Sequence, residues 1–145
     1  MNDKKWIILG LVLFLGLFDE PRYVIQSVAN HFYDMPANTI REQTFCCGSG
    51  SGLNAGEDME LRMAGGMPRA NAVKHVHEKF GVNMLATICA IDRAALPASM
   101  AYWVPEVETT GVTELVANAL LLPGEQERTT DLRGEALPGM EDADE

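Results

Sequence analysis

The chain has 145 residues, of which 47% are hydrophobic, and a formal net charge of −10. This length supports one small domain with a modest core, and the acidic balance argues against nucleic acid as a partner. Much of the acidity lies from Pro123 onward, where eight acidic residues accompany two arginines. Because this segment also lacks an apolar period, we predict a disordered acidic tail over residues 123–145.

The N-terminal segment carries an apolar run over residues 6–18, preceded by Lys4 and Lys5. As a helix this run would be about 20 Å long, against a hydrocarbon core of about 30 Å. We predict an N-terminal apolar helix over residues 1–18 that anchors the chain to a membrane, with a buried helix or strand as the alternative. Insertion with the lysines inside would carry the rest of the chain across the membrane. That topology conflicts with the reducing compartment indicated by an odd number of cysteines.

The following residues predict alternating helices and strands, in the order of an open α/β layer. Ligands of such sheets bind at the carboxyl ends of the strands, which is where Cys89 falls. The predicted elements are a helix over 20–33, an extended segment over 39–45, a helix over 57–64 ended by Gly65 and Gly66, a helix over 68–80 closed by Gly81, a strand over 84–89, a helix over 91–102, a strand over 107–112 and a helix over 113–122.

Two adjacent thiols, Cys46 and Cys47, open a run of small residues that includes Gly48, Gly50 and Gly52. Glycine and serine leave the backbone N–H groups free to close around an anion. Such N–H groups would stabilise the sulfurs of an inorganic cluster held by thiolates. We therefore predict a redox-centre loop, in which the three glycines line the cofactor.

A third thiol, Cys89, is followed at C-x-x-C spacing by Asp92. Together with Cys46 and Cys47, these two residues form a plausible ligand set for iron. The alternative is that the thiols are small buried hydrophobes and that Asp92 caps the helix after the strand.

Other patterns point to weaker alternatives. His75 and His77 are two apart on a predicted helix, so they cannot chelate one metal ion, and they and His31 are interpreted as solvated or partly packed side chains. Residues 50–55 match G-x-G-x-x-A without a clear βαβ unit, which leaves a dinucleotide site as one alternative. Nucleophilic catalysis by a Cys/His pair is another.

The motifs at residues 44–48 (Thr-Phe-Cys-Cys-Gly) and 88–92 (Ile-Cys-Ala-Ile-Asp) resemble the CCG, or cysteine-rich, domain of heterodisulfide-reductase-like proteins. Similar flanking residues extend the resemblance over residues 18–122. Within the family, the sequence most resembles the C-terminal part of the catalytic subunit K of the Dsr membrane complex. The resemblance implies a Rossmann-like parallel sheet flanked by helices over residues 19–122. It also implies a special [4Fe–4S] cluster, with Cys46, Cys47 and Cys89 as ligands and Asp92 in place of the last cysteine.

The same resemblance implies disulfide or sulfur-carrier chemistry in dissimilatory sulfur metabolism, in an electron-transfer complex at the cytoplasmic face of the inner membrane. Two features of that family are missing from the sequence: an upstream cysteine and a ferredoxin-like region. The first 17 residues instead resemble the anchor of the multihaem cytochrome subunit of that complex. No C-x-x-C-H motif follows, so we expect no haem. A membrane-associated interaction or assembly subunit without a cluster is the alternative function.

Overall fold

The computed structural model describes residues 5–9, 16–50 and 58–120, in which strands and helices alternate. Two short 3-10 helices, Ala37–Thr39 and Arg41–Gln43, precede the second α-helix. The strands are β1 (Lys5–Leu9), β2 (His31–Tyr33), β3 (Met84–Thr87) and β4 (Glu108–Gly111), and the α-helices are α1 (Glu20–Val28), α2 (Met59–Phe80), α3 (Ala90–Trp103) and α4 (Val112–Ala119).

The four strands form one parallel sheet in the order β2-β1-β3-β4. In its register, Trp6 of β1 pairs with Phe32 on one side and with Met84 on the other. The chain order reverses between β1 and β3, and ligands of open α/β sheets bind beside such a reversal, at the carboxyl ends of the strands. The prediction of a small parallel α/β sheet flanked by helices is confirmed.

Helices cover both faces of the sheet. α2 pairs with α3 and α1 with α4, and the alternating side chains of β3 divide between the two layers. Leu85 packs with Val73 and Leu96 of the α2–α3 layer, whereas Ala86 packs with Ile25 and Leu115 of the α1–α4 layer. All four residues of β3 are buried, as a continuous apolar run predicts for a central parallel strand.

The predicted N-terminal apolar helix is wrong for Lys5–Leu9, which form an interior strand paired on both sides. A short apolar run is equally compatible with a buried parallel strand, and here strand pairing decided between the two. Residues 1–4 and 10–15 of the predicted anchor and residues 121–145, which include the predicted acidic tail, lie outside the described residues. Within the described ranges, no helix is both long and apolar enough to cross a membrane.

The helix predicted over residues 20–33 is too long, because α1 ends at Val28 and His31–Tyr33 form β2. Pairing of these three residues with β1 replaces the last helical turn that the apolar spacing indicated. The extended segment predicted over residues 39–45 is also wrong, since the chain there turns through the 3-10 helix Arg41–Gln43.

The two helices predicted over residues 57–64 and 68–80 are one continuous helix, α2, which runs through Gly65, Gly66 and Pro68. Pro68 has no N–H to donate to the carbonyl four residues earlier, so local preference favours a break. Tertiary packing keeps the helix intact instead. Its C-terminal half buries an apolar stripe against the sheet, and the Trp103 indole N–H donates to the Met63 carbonyl at 3.1 Å.

The remaining elements agree with their predictions to within a few residues. α2 ends at Gly81, which has the left-handed φ of 66° of a C-cap. The predicted second strand starts at Glu108 and leads directly into α4, which ends at Ala119.

Glu114 ties the start of α4 to β4 and α3. Its carboxylate accepts hydrogen bonds from the Gly111 N–H, the Thr110 hydroxyl and the Arg93 Nε, each at 3.0 Å. Partial burial opposes its charge, but the hydrogen bonds and the Arg93 charge outweigh burial and lower the pKa of Glu114 to about 2.

Replacing Glu114 by glutamine should therefore lower the melting temperature, and the loss should depend on pH. The carboxylate pKa falls from an ordinary 4.5 to about 2 in the folded chain, so its stabilisation is present above pH 4.5 and disappears as the pH falls toward 2. The gap between wild type and Glu114→Gln, measured by circular dichroism, should close over that window. Glu106→Gln, which changes an exposed carboxylate, is the control, and a gap independent of pH would contradict the assignment.

Candidate thiol site

The loop that carries Cys46 and Cys47 lies against α2 through two glycines. Gly48 has a φ of +83°, and a Cβ atom there would lie 2.6 Å from both the Arg62 carbonyl oxygen and the Gly66 backbone nitrogen. A Cβ atom on Gly66 would lie 3.0 Å from the Cys47 carbonyl oxygen. The two backbones therefore meet at a distance that side chains would prevent, and this contact fixes the loop.

Backbone N–H groups point at both sulfurs of the loop. The Gly48 N–H donates to the Cys46 Sγ at 3.3 Å, and the Ser49 N–H donates to the Cys47 sulfur. When either thiol loses its proton, the hydrogen bond from its N–H donor stabilises the negative charge on the sulfur. Of the three glycines predicted to line a cofactor, Gly48 lies in this loop, Gly50 is exposed beside it, and Gly52 lies outside the described residues.

Cys47 and Asp92 lie beside each other, close enough for each to affect the pKa of the other. Burial, followed by the bond to Asp92, raises the pKa of the Cys47 thiol to about 12. Asp92 is 2% exposed, and burial raises the pKa of its carboxyl group against the opposing effects of Cys47 and Arg69. At neutral pH, the Cys47 thiol is therefore protonated.

Cys89 stands at the carboxyl end of β3, as predicted, and is the N-cap residue of α3. It is half-buried and has a free thiol, as do Cys46 and Cys47. Asp92 is in the first turn of α3, three residues after the N-cap. The position of Cys47 beside Asp92 therefore places the loop at the edge of the sheet at which Cys89 lies.

The predicted metal ligands do not form a complete metal site within the residues described. Nowhere in residues 5–9, 16–50 and 58–120 do three histidine, cysteine or acidic side chains gather closely enough to hold one ion. The donor chemistry suits iron, since three residues are thiols and the fourth is a carboxylate. The arrangement does not fit a cubane cluster as it stands, because its four ligands would have to surround one cluster and the described donors do not converge.

Arg69 is a site residue that the sequence analysis missed. Its guanidinium is buried and donates to the Phe45 carbonyl through Nε and Nη2 at 3.3 and 2.9 Å, and to the Thr39 carbonyl through Nη1 at 3.2 Å. Burial lowers the pKa of Arg69 to about 10, so it remains charged at neutral pH. The sequence could have indicated its burial, because Arg69 lies one helical turn before Val73 on the buried stripe of α2.

The three histidines are solvent-exposed or partly packed, as predicted. His31 is exposed in β2 and His75 is exposed on α2. The His77 Nδ1 is 2.7 Å from the Val82 carbonyl oxygen, so this ring supports the end of α2. Most of the G-x-G-x-x-A match over residues 50–55 lies outside the described residues.

A separate apolar groove of about 680 Å³ runs between the first half of α2 and the end of α3. Its walls include Met59, Met63 and Met67, one helical turn apart, and Tyr102 and Trp103 opposite them. No cysteine or histidine is among the described residues that line it.

Two curated proteins of Archaeoglobus are similar to this chain. The Hdr-like menaquinol oxidoreductase iron-sulfur subunit 2 of Archaeoglobus fulgidus is 52% identical over 127 residues, which cover 85% of this chain and 23% of the relative. The Hdr-like menaquinol oxidoreductase iron-sulfur subunit of Archaeoglobus profundus is 52% identical over 124 residues, which cover 83% of this chain and 22% of the relative. These similarities support a relationship to heterodisulfide-reductase-like iron–sulfur oxidoreductases.

The chain spans less than a quarter of the length of these relatives. A scan against known protein families finds no match, and no solved structure matches the chain.

Replacing Gly48 by alanine should destabilise the protein by about 2 kcal/mol or more and displace the loop. The positive φ alone costs an alanine about 1–2 kcal/mol, and the added Cβ atom would overlap the backbone of α2. Urea denaturation would measure the change. Gly50→Ala is the matched control, because a Cβ atom there meets nothing within 4 Å. Equal stability of the two variants would contradict the backbone contact.

Cys46 should be alkylated at least about tenfold faster than Cys47 at about pH 8. Cys46 is exposed, whereas the Cys47 thiol is half-buried with a pKa of about 12 and so yields little of the reactive thiolate. Iodoacetamide labelling of the metal-free chain, read by peptide mass spectrometry, measures both rates. In guanidinium chloride the two rates should converge, and similar rates in the folded chain would show that Cys47 is not protected.

Proposed function

We propose that this chain is the thiol-bearing part of a heterodisulfide-reductase-like iron–sulfur oxidoreductase, with a CCG-type centre at the loop. The observation that carries the proposal is the Cys47–Asp92 pair, which joins the loop to the carboxyl edge of the sheet beside Cys89. The names of the Archaeoglobus relatives support the iron–sulfur assignment.

We propose Cys46, Cys47 and Cys89 as ligands of a [4Fe–4S] cluster, with Asp92 beside them as the fourth. Because the described side chains do not gather around one metal position, the proposal requires the loop to close or a further ligand to come from outside the described residues. When bound, such a cluster supplies one-electron transfer. We include no haem.

The residues of the chain prepare the sulfurs for ligation. A thiol with a pKa of about 12 must lose its proton before it binds a metal. The Asp92 carboxyl group beside Cys47 must also be deprotonated to bind iron, although burial favours its protonated form. Metal binding would therefore release these protons to solvent, while the Gly48 and Ser49 N–H groups stabilise the sulfurs.

The setting and substrate of the chain are proposals as well. We propose that it acts with other subunits of a membrane electron-transfer complex, at the cytoplasmic face of the inner membrane. The substrate would be a disulfide or a sulfur carrier in dissimilatory sulfur metabolism, as in Dsr-type complexes. Support for the complex comes from the names of the two relatives, which are subunits of Hdr-like menaquinol oxidoreductases.

Anaerobic reconstitution of the full chain with iron and sulfide tests the cluster. We expect iron and acid-labile sulfide in the wild type, an electron paramagnetic resonance signal after reduction, and about tenfold or more weaker iron binding in Cys47→Ser. His75→Ala, which changes an exposed histidine of α2, should bind iron like the wild type. A wild type without iron, or Cys47→Ser with unchanged iron, would refute the proposal.

The second candidate function is a membrane-associated assembly subunit without a cluster. One observation favours it: three potential metal ligands do not come together anywhere in the described part of the chain. Under this alternative, the reconstituted protein lacks iron but stays with the membrane fraction after a carbonate wash. A protein found wholly in the supernatant would argue against the alternative.

A further inference from the structure

The apolar groove between α2 and α3 is shaped by contacts between its own two helices. The Trp103 indole N–H donates to the Met63 carbonyl at 3.1 Å, and the Tyr102 and Trp103 rings meet edge to face with their centroids 4.9 Å apart. Farther along α2, Gly66 lets α3 approach closely, because a Cβ atom there would lie 3.3 Å from the Ser99 hydroxyl oxygen. These contacts fix the separation of the two helices, so the groove is preformed.

The walls of the groove carry exposed apolar side chains. Met59, Met63 and Met67 form a row at i, i+4 spacing that is about 12 Å long. Met59, Met67 and Tyr102 are 50%, 41% and 66% exposed. Methionine side chains are flexible and polarisable, so a surface rich in them adapts to the side chains of a partner. Exposed apolar residues that line one groove, unlike scattered ones, mark a site of association.

An elongated apolar face fits this groove better than a small molecule does. A small ligand is held by walls that enclose most of its surface and by a few convergent polar groups. Here much of the wall is itself open to solvent, and the Trp103 indole N–H is already bonded to the Met63 carbonyl. A row of side chains one turn apart is the kind of surface into which another helix packs its own side chains. The occupant that fits is therefore a helix with an apolar face.

The rim of the groove is acidic. Glu60 lines it, and exposed Asp58 is the N-cap residue of α2. Exposed Glu106 follows Trp103 by three residues, and no lysine or arginine is among the described residues that line the groove. A partner with basic side chains beside its apolar face is therefore electrostatically complementary to the rim. The same rim disfavours acidic residues 123–145, a second copy of this chain with its net charge of −10, and anionic lipid headgroups.

We propose that the apolar groove binds an amphipathic helix of a partner protein that carries lysine or arginine beside its apolar face. The methionine row and the two aromatic rings receive the apolar face, while Asp58, Glu60 and Glu106 attract the basic side chains. The inference goes beyond the proposed function and is independent of the cluster, since none of the proposed cluster ligands lines the groove.

Three dye-labelled peptides of about 18 residues, long enough to form helices alone, test the full chain. The first has leucines at i, i+3, i+4 and i+7 spacing with lysines beside them, the second has glutamates in place of the lysines, and the third is the first in scrambled order. Circular dichroism checks that the first two are equally helical, and fluorescence anisotropy measures their affinities. The lysine peptide should bind about tenfold or more tightly than either of the others at low ionic strength, and its advantage over the glutamate peptide should shrink in about 0.5 M salt.

Two pairs of variants place the binding in the groove. Met67→Gln should weaken binding of the lysine peptide about fivefold or more, because it removes apolar surface from the contact. Leu61→Gln is the matched control, since Leu61 is a 56% exposed residue of α2 that does not line the groove. Glu60→Lys should abolish the preference for the lysine peptide, whereas Glu78→Lys, which makes the same change of charge at an exposed site on the other half of α2, should retain it.

Equal affinities for the lysine and glutamate peptides would overturn the proposal, as would failure to bind either peptide or equal weakening by Met67→Gln and Leu61→Gln. Self-association of the chain that Met67→Gln abolishes, measured by analytical ultracentrifugation, would assign the groove to a second copy instead. Binding to phosphatidylglycerol vesicles that Met67→Gln abolishes would assign it to a membrane, and either result contradicts the proposal. If circular dichroism shows that Met67→Gln is unfolded, Tyr102→Gln takes its place, because Tyr102 is the more exposed wall residue.

Discussion

The contact between the backbones of Gly48 and Gly66 is the constraint on which the thiol site depends. It presses the loop onto α2 at a distance that any larger residue would prevent. Once the loop is seated, the Gly48 and Ser49 N–H groups face the sulfurs, and Cys47 reaches Asp92 on α3. This contact between two small residues therefore holds the segment between β2 and α2 at the carboxyl edge of the sheet.

Opposing electrostatic effects surround the seated loop. Burial favours the neutral forms of Cys47 and Asp92, whereas Arg69 places a positive charge against the same groups. The result is a protonated thiol next to a buried carboxyl group and a buried guanidinium that donates to two backbone carbonyls.

The elements that the sequence predicted correctly were those with a strong local pattern of apolar residues and turns. The run at Met84–Thr87 was apolar throughout and bounded by turns, so β3 and the position of Cys89 at its end could be predicted. The N-terminal run gave an equally apolar signal but was assigned to a helix, since periodicity does not separate buried strands from buried helices. At Gly65, Gly66 and Pro68, local preference indicated a break in the helix, and packing against the loop and sheet overrode it.

The sequence by itself determined the parallel α/β class, the order of the later elements, and the positions of the thiols and Asp92 along the chain. Only the tertiary structure decided that Lys5–Leu9 lie inside the sheet, that α2 is continuous, and that Cys47 lies beside Asp92. It also decided the place of Arg69 beneath the loop. The reason is physical: apolar runs and glycines record local preferences, whereas strand pairing and buried charge depend on partners distant in the chain.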